Sequence, residues 1–311
     1  MADFERADFS KIKNYPISER TNKVSVNEFA LVDKYKSSKN ILDLLPAQLK
    51  AIDLKEIALR FHEAREKGRG VIVAMGAHVI KTGCSPIIID WMKQGRITGI
   101  AMNGAGPVHD LEIAMIGETS EDVEEEVKSG RFGMVEETAS ETMKALKKYP
   151  GYGFGQSIGQ WILDSEMDWA DESILANAAR LGIPATVHAA IGCEITHIHP
   201  ESDGALIGEK SFEDFKIFTA QLKTLNDGGI YFNIGSAVIL PEVFIKALSA
   251  ARNLGDCVEN FYSVNMDMTS HYRPAVNVVH RPVQNGGKGY NITGHHEIMI
   301  PLLYHLMEHA G

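Results

Sequence analysis

Short apolar runs closed by glycine alternate with longer stretches of helical periodicity along most of the chain. The run 71–75, Val-Ile-Val-Ala-Met, passes into Gly76-Ala77-His78. The run 99–102, Gly-Ile-Ala-Met, passes into Asn103-Gly104-Ala105-Gly106. Unbroken apolar runs of this length fit strands buried on both faces. Residues 86–94 between them are amphipathic at helical spacing, so 70–110 predicts a strand–helix–strand unit. Further strands are predicted at 184–189, 229–235 and 258–264. Helices are predicted at 48–67, 108–116, from 120 onward, and at 135–148, 165–181, 212–225, 241–252 and 296–309. Residues 151–159 predict a loop or a glycine-opened helix, and 265–294 a polar loop. The alternation predicts an α/β fold with a mainly parallel sheet covered on both faces. Residues 1–45 read as an irregular arm, for which a neighbouring subunit or its own domain is an equal prospect. Residues 46–311 read as one domain.

Composition narrows the function classes. The chain has 311 residues, is 44% hydrophobic and carries a net charge of −10. A sizeable core follows, and nucleic acid is excluded as the main partner. No apolar run reaches the roughly 18 residues of a membrane span. Three widely spaced cysteines without a Cys-x-x-Cys pair fit free thiols in a reducing compartment, and the polar amino terminus fits no signal peptide. The expectation is a cytoplasmic protein with a small-molecule substrate.

The candidate chemistry sits at the strand exits, where open α/β sheets bind ligands. Asn103-Gly104-Ala105-Gly106 holds a Gly-x-Gly but not the full Gly-x-Gly-x-x-Gly, since residue 109 is His. A tight strand-to-helix turn explains it equally well. His78, His109, His188, His197, His199 and His280 follow predicted strands, and His295 and His296 precede the last helix. Imidazole suits proton transfer and metal binding near neutral pH. His197 and His199, with Glu194 or Asp203, form a candidate set for a divalent metal, against the plainer reading of polar groups at a subunit contact. Asp110 and Glu112 are candidates for a ribose hydroxyl or a cation, or caps of a helix start. Arg273 and Arg281 offer forks for carboxylate or phosphate, or surface ion pairs. Cys84 reads as a buried small residue. Lys288 is the candidate Schiff-base lysine of the carboxyl-terminal region, in a turn-like Asn285-Gly286-Gly287-Lys288-Gly289.

The order of these motifs resembles the deoxyhypusine synthase family. Ala77-His78-Val79-Ile80-Lys81-Thr82-Gly83 is similar to its Ser-Asn-Leu-Ile-Ser-Ser-Gly segment, and 103–110 to its NAD-cradling Thr-Ala-Gly-Gly segment. Gly182-Ile183-Pro184 resembles the family's Ile-Pro strand entry. Residues 229–238 resemble its Gly-Gly-Gly-Val-Val strand end, 262–274 its Tyr-Ile-Asn-Thr segment, and 297–303 its last helix start. The similarity spans roughly residues 50–311, by motif order along the strand–helix alternation. It implies a Rossmann-like fold, NAD held between subunits, and a homotetramer or homodimer. The family oxidises spermidine, forms an imine on a lysine and passes an aminobutyl group to a protein lysine.

The departures fall in that chemistry. Val278-Val279-His280-Arg281-Pro282 stands where the family has Trp-Gly-Lys, and Ile239-Leu240-Pro241 where it has Lys-His-His. Gly192 and His197 replace acidic residues, and His295-His296 replaces Asp-Ala. The resemblance therefore implies a diverged NAD-binding transferase or oxidoreductase acting on a small amine- or carbonyl-bearing substrate. Gly76, Ala77, His78, Asn103, Gly104, Ala105, Gly106, Asp110, Gly235, Ser236 and His295 would line NAD. His109, His197, His280, Arg281 and Lys288 would act on substrate. The alternatives are a metal-dependent enzyme built on His197, His199 and Glu194, and a non-catalytic oligomeric binding protein.

Overall fold

The computed structural model describes residues 9–29 and 48–309. The strands, in chain order, are β1 (Asn22–Ser25), β2 (Val71–Met75), β3 (Gly99–Asn103), β4 (Glu118–Glu121), β5 (Ala185–His188), β6 (Ile230–Ile234), β7 (Phe261–Asp267) and β8 (Gly287–Thr293). Six of them form one parallel sheet in the order β5-β3-β2-β6-β7-β8. In order of appearance that is third, second, first, fourth, fifth, sixth: the doubly wound arrangement, whose direction reverses between β2 and β6. The α/β expectation, with a mainly parallel sheet of Rossmann-like topology, holds.

Strand periodicity divides the core. Val71, Val73 and Met75 of β2 point into the larger apolar layer with Ile100, Met102, Phe232 and Val264. Helices Leu49–Glu66, Ser85–Lys93, Phe154–Asp164 and His296–His309 cover that face. Ile72 and Ala74 point to the other face, against Phe218 of helix Gly204–Gln221, Leu222 just after it, and Phe244 and Leu248 of helix Ile239–Asn253. Tyr231 of β6 and Phe244 stack there at 3.7 Å. Both faces are dry, which is why β2, β3 and β6 read as unbroken apolar runs rather than alternating ones.

Four expectations are corrected. Residues 118–121 are the strand β4, not a helix start; helix Val123–Ser129 begins only after Asp122, whose carboxylate accepts the Glu125 amide. Acidic residues hide a strand whose partner, β1, lies in the arm. Of the helix expected over 165–181 the structure forms only Ile174–Leu181, which Ser173 caps, while the preceding helix Phe154–Asp164 begins in the stretch read as a loop or a glycine-opened helix. The predicted loop 265–294 contains β8, an edge strand rich in glycine and polar residues with no apolar run to reveal it. Helix Gly204–Gln221 starts eight residues before the expected 212, capped by Asp203, which accepts the amides of Ala205 and Leu206.

The arm divides. Residues 9–29 pack on their own chain. Asn22–Ser25 pairs antiparallel with β4, Tyr15 bridges to Val135, and Arg20 makes a two-pronged ion pair with Glu112 at 2.9 Å on each prong. Residues 1–8 and 30–47 lie outside the described residues. Among the described residues no helix is long and apolar enough to cross a membrane.

Candidate functional site

The sheet topology places the site. Where strand order reverses, the loops leaving β2 and β6 part to opposite faces and open a crevice at their carboxyl ends. The two exits are Gly76-Ala77-His78 and Gly235-Ser236. A Cβ on Gly76 would overlap the Gly235 carbonyl oxygen and lie 3.0 Å from its carbonyl carbon. Gly235 has a φ of +65°, and a Cβ there would come within 2.7 Å of the His296 ring. Both residues are glycine because backbone meets backbone and ring at this floor.

His78 and His296 face each other across the crevice. Their Nδ1 atoms are 2.9 Å apart and the rings meet edge to face. One nitrogen must donate and the other accept, so two cations there are excluded. Burial lowers the pKa of both; Lys81 adds to the effect on His78, and His78 to that on His296. The pair is therefore neutral at physiological pH and holds opposite tautomers at Nδ1. His296 is fully buried, whereas His295, the expected cofactor residue, is exposed beside Glu297 at 3.8 Å. The sequence presented adjacent histidines at a helix start. Which one points inward is set by the first turn of helix His296–His309, and nothing in the two-residue pattern reports it.

Asn103 ends β3 with a buried Oδ1 that has no hydrogen-bond partner among the described residues. Together with the Gly76–Gly235 floor, this orphaned acceptor fits a cofactor hydroxyl or amide at the crevice. NAD, if held here, would lie against Gly76, Ala77, His78, Asn103, Gly235 and the Ser236 backbone. The Ser236 hydroxyl is already used as acceptor for the Leu240 amide.

The glycine turn after β3 is a different matter. A Cβ on Gly104 would run into the Glu194 side chain, and one on Gly106 would lie 2.8 Å from Met102. These glycines serve close packing within the chain. The Glu194 carboxylate occupies the start of helix Ala105–Ile116, where an expected NAD phosphate would sit. Asp110, expected near a ribose, is fully buried and fully used. Its oxygens accept the Ser173 hydroxyl at 2.6 Å and the amides of Ile174 and Leu175 at 2.8 and 3.0 Å. It holds the start of the next helix, the structural alternative read in the sequence, and burial pushes its carboxyl up to about 6.

Beside this turn lies a cleft of about 220 Å³ lined by Arg20, Lys81, His109, Glu112, Glu121, Cys193 and Glu194. His109 is thus at a cavity, though not paired with His78 or His296. Its Nδ1 is 2.7 Å from the Thr119 hydroxyl, which in turn bonds Glu112. Burial pushes its pKa down to about 4.

The remaining expected residues lie elsewhere. Lys288 starts β8, at the amino-terminal edge of the sheet, and bonds Glu56 at 2.6 Å. The crevice is at the opposite edge, so Lys288 has no access to it. His280 and Arg281 end the turn Ala275–His280 near the same far edge, where Arg252 bonds the Val258 and Pro282 carbonyls; Arg281 reaches Asn277 at 3.0 Å. His197 accepts the Gly192 amide on Nδ1 at 3.0 Å. His199 accepts the Glu201 amide on Nδ1 at 3.2 Å and has Asn14 2.6 Å from Nε2, so both its nitrogens are committed. Among the described residues no group of three or more His, Cys, Asp or Glu is placed to hold a metal ion.

His188, at the end of edge strand β5, is buried against Phe218 and its pKa falls to about 3. A histidine held neutral by the fold favours the folded state above its unfolded value, near 6.5. That contribution fades as pH falls from 6.5 toward the folded value. We expect His188→Asn to be the less stable protein at pH 7. The gap to the parent should close by up to about 3 kcal/mol at pH 4. Urea unfolding of both proteins at the two pH values measures it. The raised carboxyls of Asp110 and Asp214 act in the opposite sense but cancel in this difference.

No protein-family model matches the chain, and no curated protein matches its sequence. Solved structures match its fold. Unliganded AgrE superposes with a TM-score of 0.55 at 16% identity, over 87% of this chain and 33% of that one. AgrE in a ternary complex with ornithine and NAD+ gives 0.54 at 15%, over 82% and 32%. A conserved protein assigned to the LOR/SDH group from Methanococcus maripaludis S2 gives 0.51 at 17%, over 84% and 70%. The chain spans about a third of AgrE's length. The likeness is one of fold. It shows no membership of a family, the deoxyhypusine synthase family included.

Proposed function

We propose that the chain is an NAD-binding enzyme acting on a small amine- or carbonyl-bearing substrate. The observation that carries this reading is the reversal point of the sheet, with Gly76 and Gly235 at the floor and the half-buried His78 paired with buried His296 beside it. Bound there, NAD would supply hydride transfer. The chain's own residues would set its position. Gly76 and Gly235 let the two strand exits and the His296 ring pack closely as a floor, Asn103 offers an acceptor unused among the described residues, and the histidine pair holds a proton between two nitrogens. The neutral pair can pass that proton without a buried charge being left uncompensated. AgrE, which shares the fold, is solved with ornithine and NAD+, in support of the cofactor and of an amine-bearing substrate. The missing lysine around 278–282 argues against unaltered aminobutyl transfer, and Lys288 is too far from the crevice to stand in. A homodimer or homotetramer belongs to the same reading.

Thermal denaturation against NAD concentration tests it. A ligand that binds only the folded state adds about 2.7 kcal/mol at a hundred times its Kd, and the melting temperature climbs with concentration. A melting temperature that stays flat to millimolar NAD and NADH refutes the cofactor assignment.

A further inference from the structure

The cleft beside the crevice holds a chain of four residues with one permitted direction. Glu112 is buried and is gripped by Arg20 through two bonds of 2.9 Å, which hold its carboxyl low against the effect of burial. An ionised carboxylate only accepts, so the Thr119 hydroxyl donates to it. The Thr119 oxygen must then accept from His109, 2.7 Å away. His109 therefore carries its proton on Nδ1. Its Nε2 is a bare lone pair in a residue that lines the cleft. Thr138 adds a second hydroxyl to Glu112 at 2.8 Å and fixes the far end.

Around that acceptor the cleft gathers others. Glu194 is half-buried, its Oε1 takes the Ala190 amide at 3.1 Å, the Gly104 backbone also faces its carboxylate, and among the described residues its Oε2 has no hydrogen-bond partner. The atom nearest that oxygen among the ionic contacts is His197 Nδ1 at 3.3 Å, which already accepts the Gly192 amide and has no proton to offer. Glu121 takes the Gly133 amide and the Tyr15 hydroxyl, one on each oxygen, and keeps lone pairs to spare. Arg20 directs one N–H from each of its three nitrogens to Glu112 or Asn22. Among the described residues the cleft also has Lys81, half-buried on the short helix His78–Lys81, as a second cation.

We propose that this cleft binds the primary ammonium group of a small ligand, with His109 Nε2, Glu194 and Glu121 as its acceptors and Thr119, Glu112 and Arg20 as positioning residues. A primary ammonium has three N–H donors and no acceptor, the complement of this lining. Lys81 then selects ligands that also carry a carbonyl or carboxylate, since its ammonium needs an acceptor and repels a second cation. The low pKa of His109 keeps Nε2 an acceptor well into the acid range. The proposal deepens the amine-bearing substrate above. It rests on that reading for turnover alone, not for binding.

The test uses the full chain without NAD. Two-bond 15N–1H correlation spectra report which nitrogen of His109 bears the proton. The parent should show it on Nδ1. Thr119→Val should release it to a mixture of tautomers, and Thr119→Ser should restore the parent pattern. Glycinamide is the ammonium probe, and glycolamide its uncharged isostere. Glycinamide should shift the His109 Nε2 signal and glycolamide should not. Thr119→Val should weaken glycinamide about tenfold, the loss of one fixed acceptor. Thr119→Ser should bind within twofold of the parent. Lys288→Ala, at the far edge of the sheet, should leave everything unchanged. A proton on Nε2 in the parent, equal response to the two probes, or undiminished glycinamide binding in a folded Thr119→Val protein each overturn the proposal. None of these outcomes depends on whether NAD binds.

Discussion

Arg20→Ala is expected to lower stability by roughly 3–5 kcal/mol, the cost of leaving a buried charge without its partner. Glu112 is inaccessible and its carboxylate accepts two Arg20 nitrogens, with Thr119 and Thr138 completing the shell. Without the guanidinium, two hydroxyls face an ion that needs a countercharge, and Glu112 takes up a proton instead. Arg20→Lys should recover little, because an ammonium cannot reproduce the two parallel bonds. Arg20→Ala combined with Glu112→Gln should be more stable than Arg20→Ala alone, since the orphaned charge is gone. Urea midpoints of the three proteins decide the matter. A loss under about 1 kcal/mol for Arg20→Ala would show that water reaches Glu112 and that the arm is a loose wrapping.

Gly76→Ala should cost about 3 kcal/mol or more, at the top of the range for overpacking. The added carbon meets the Gly235 backbone, and neither chain can swing away, because Gly76 donates to the Ile234 carbonyl and Gly235 to that of Met266. β2 and β6 would have to separate where the sheet is most buried. If NAD occupies the crevice, the same substitution removes its stabilising effect on melting. Gly182→Ala is the control. Gly182 has a φ of +67° but open space around it, so only backbone strain of about 1 kcal/mol is lost, and NAD binding is untouched. Equal losses for the two alanines would mean that the floor can yield.

The sheet was legible in the sequence because five of its strands are largely buried on both faces and four of these are bounded by glycine or proline. β8 and β4 were not, since one is a polar edge strand and the other depends on a partner about a hundred residues away. The histidines were legible as a set but not as pairs. His78 and His296 meet only because β2 and the segment after β8 leave the same edge of the sheet. His109, by contrast, joined the cleft through Thr119 and Glu112, ten and three residues away on the adjoining strand and its own helix, and that spacing was available. Lys288 was misplaced because its order in the chain said nothing of which end of a parallel strand it begins.

The His78–His296 contact joins residues 218 positions apart. One partner belongs to the turn after β2, among the first parts of the sheet to be synthesised, and the other to helix His296–His309. A nascent chain can therefore form most of the sheet while the wall of the crevice is still missing. Whatever binds there needs a chain already folded through helix His296–His309, so His296 makes binding at the crevice depend on a segment that follows every strand of the sheet.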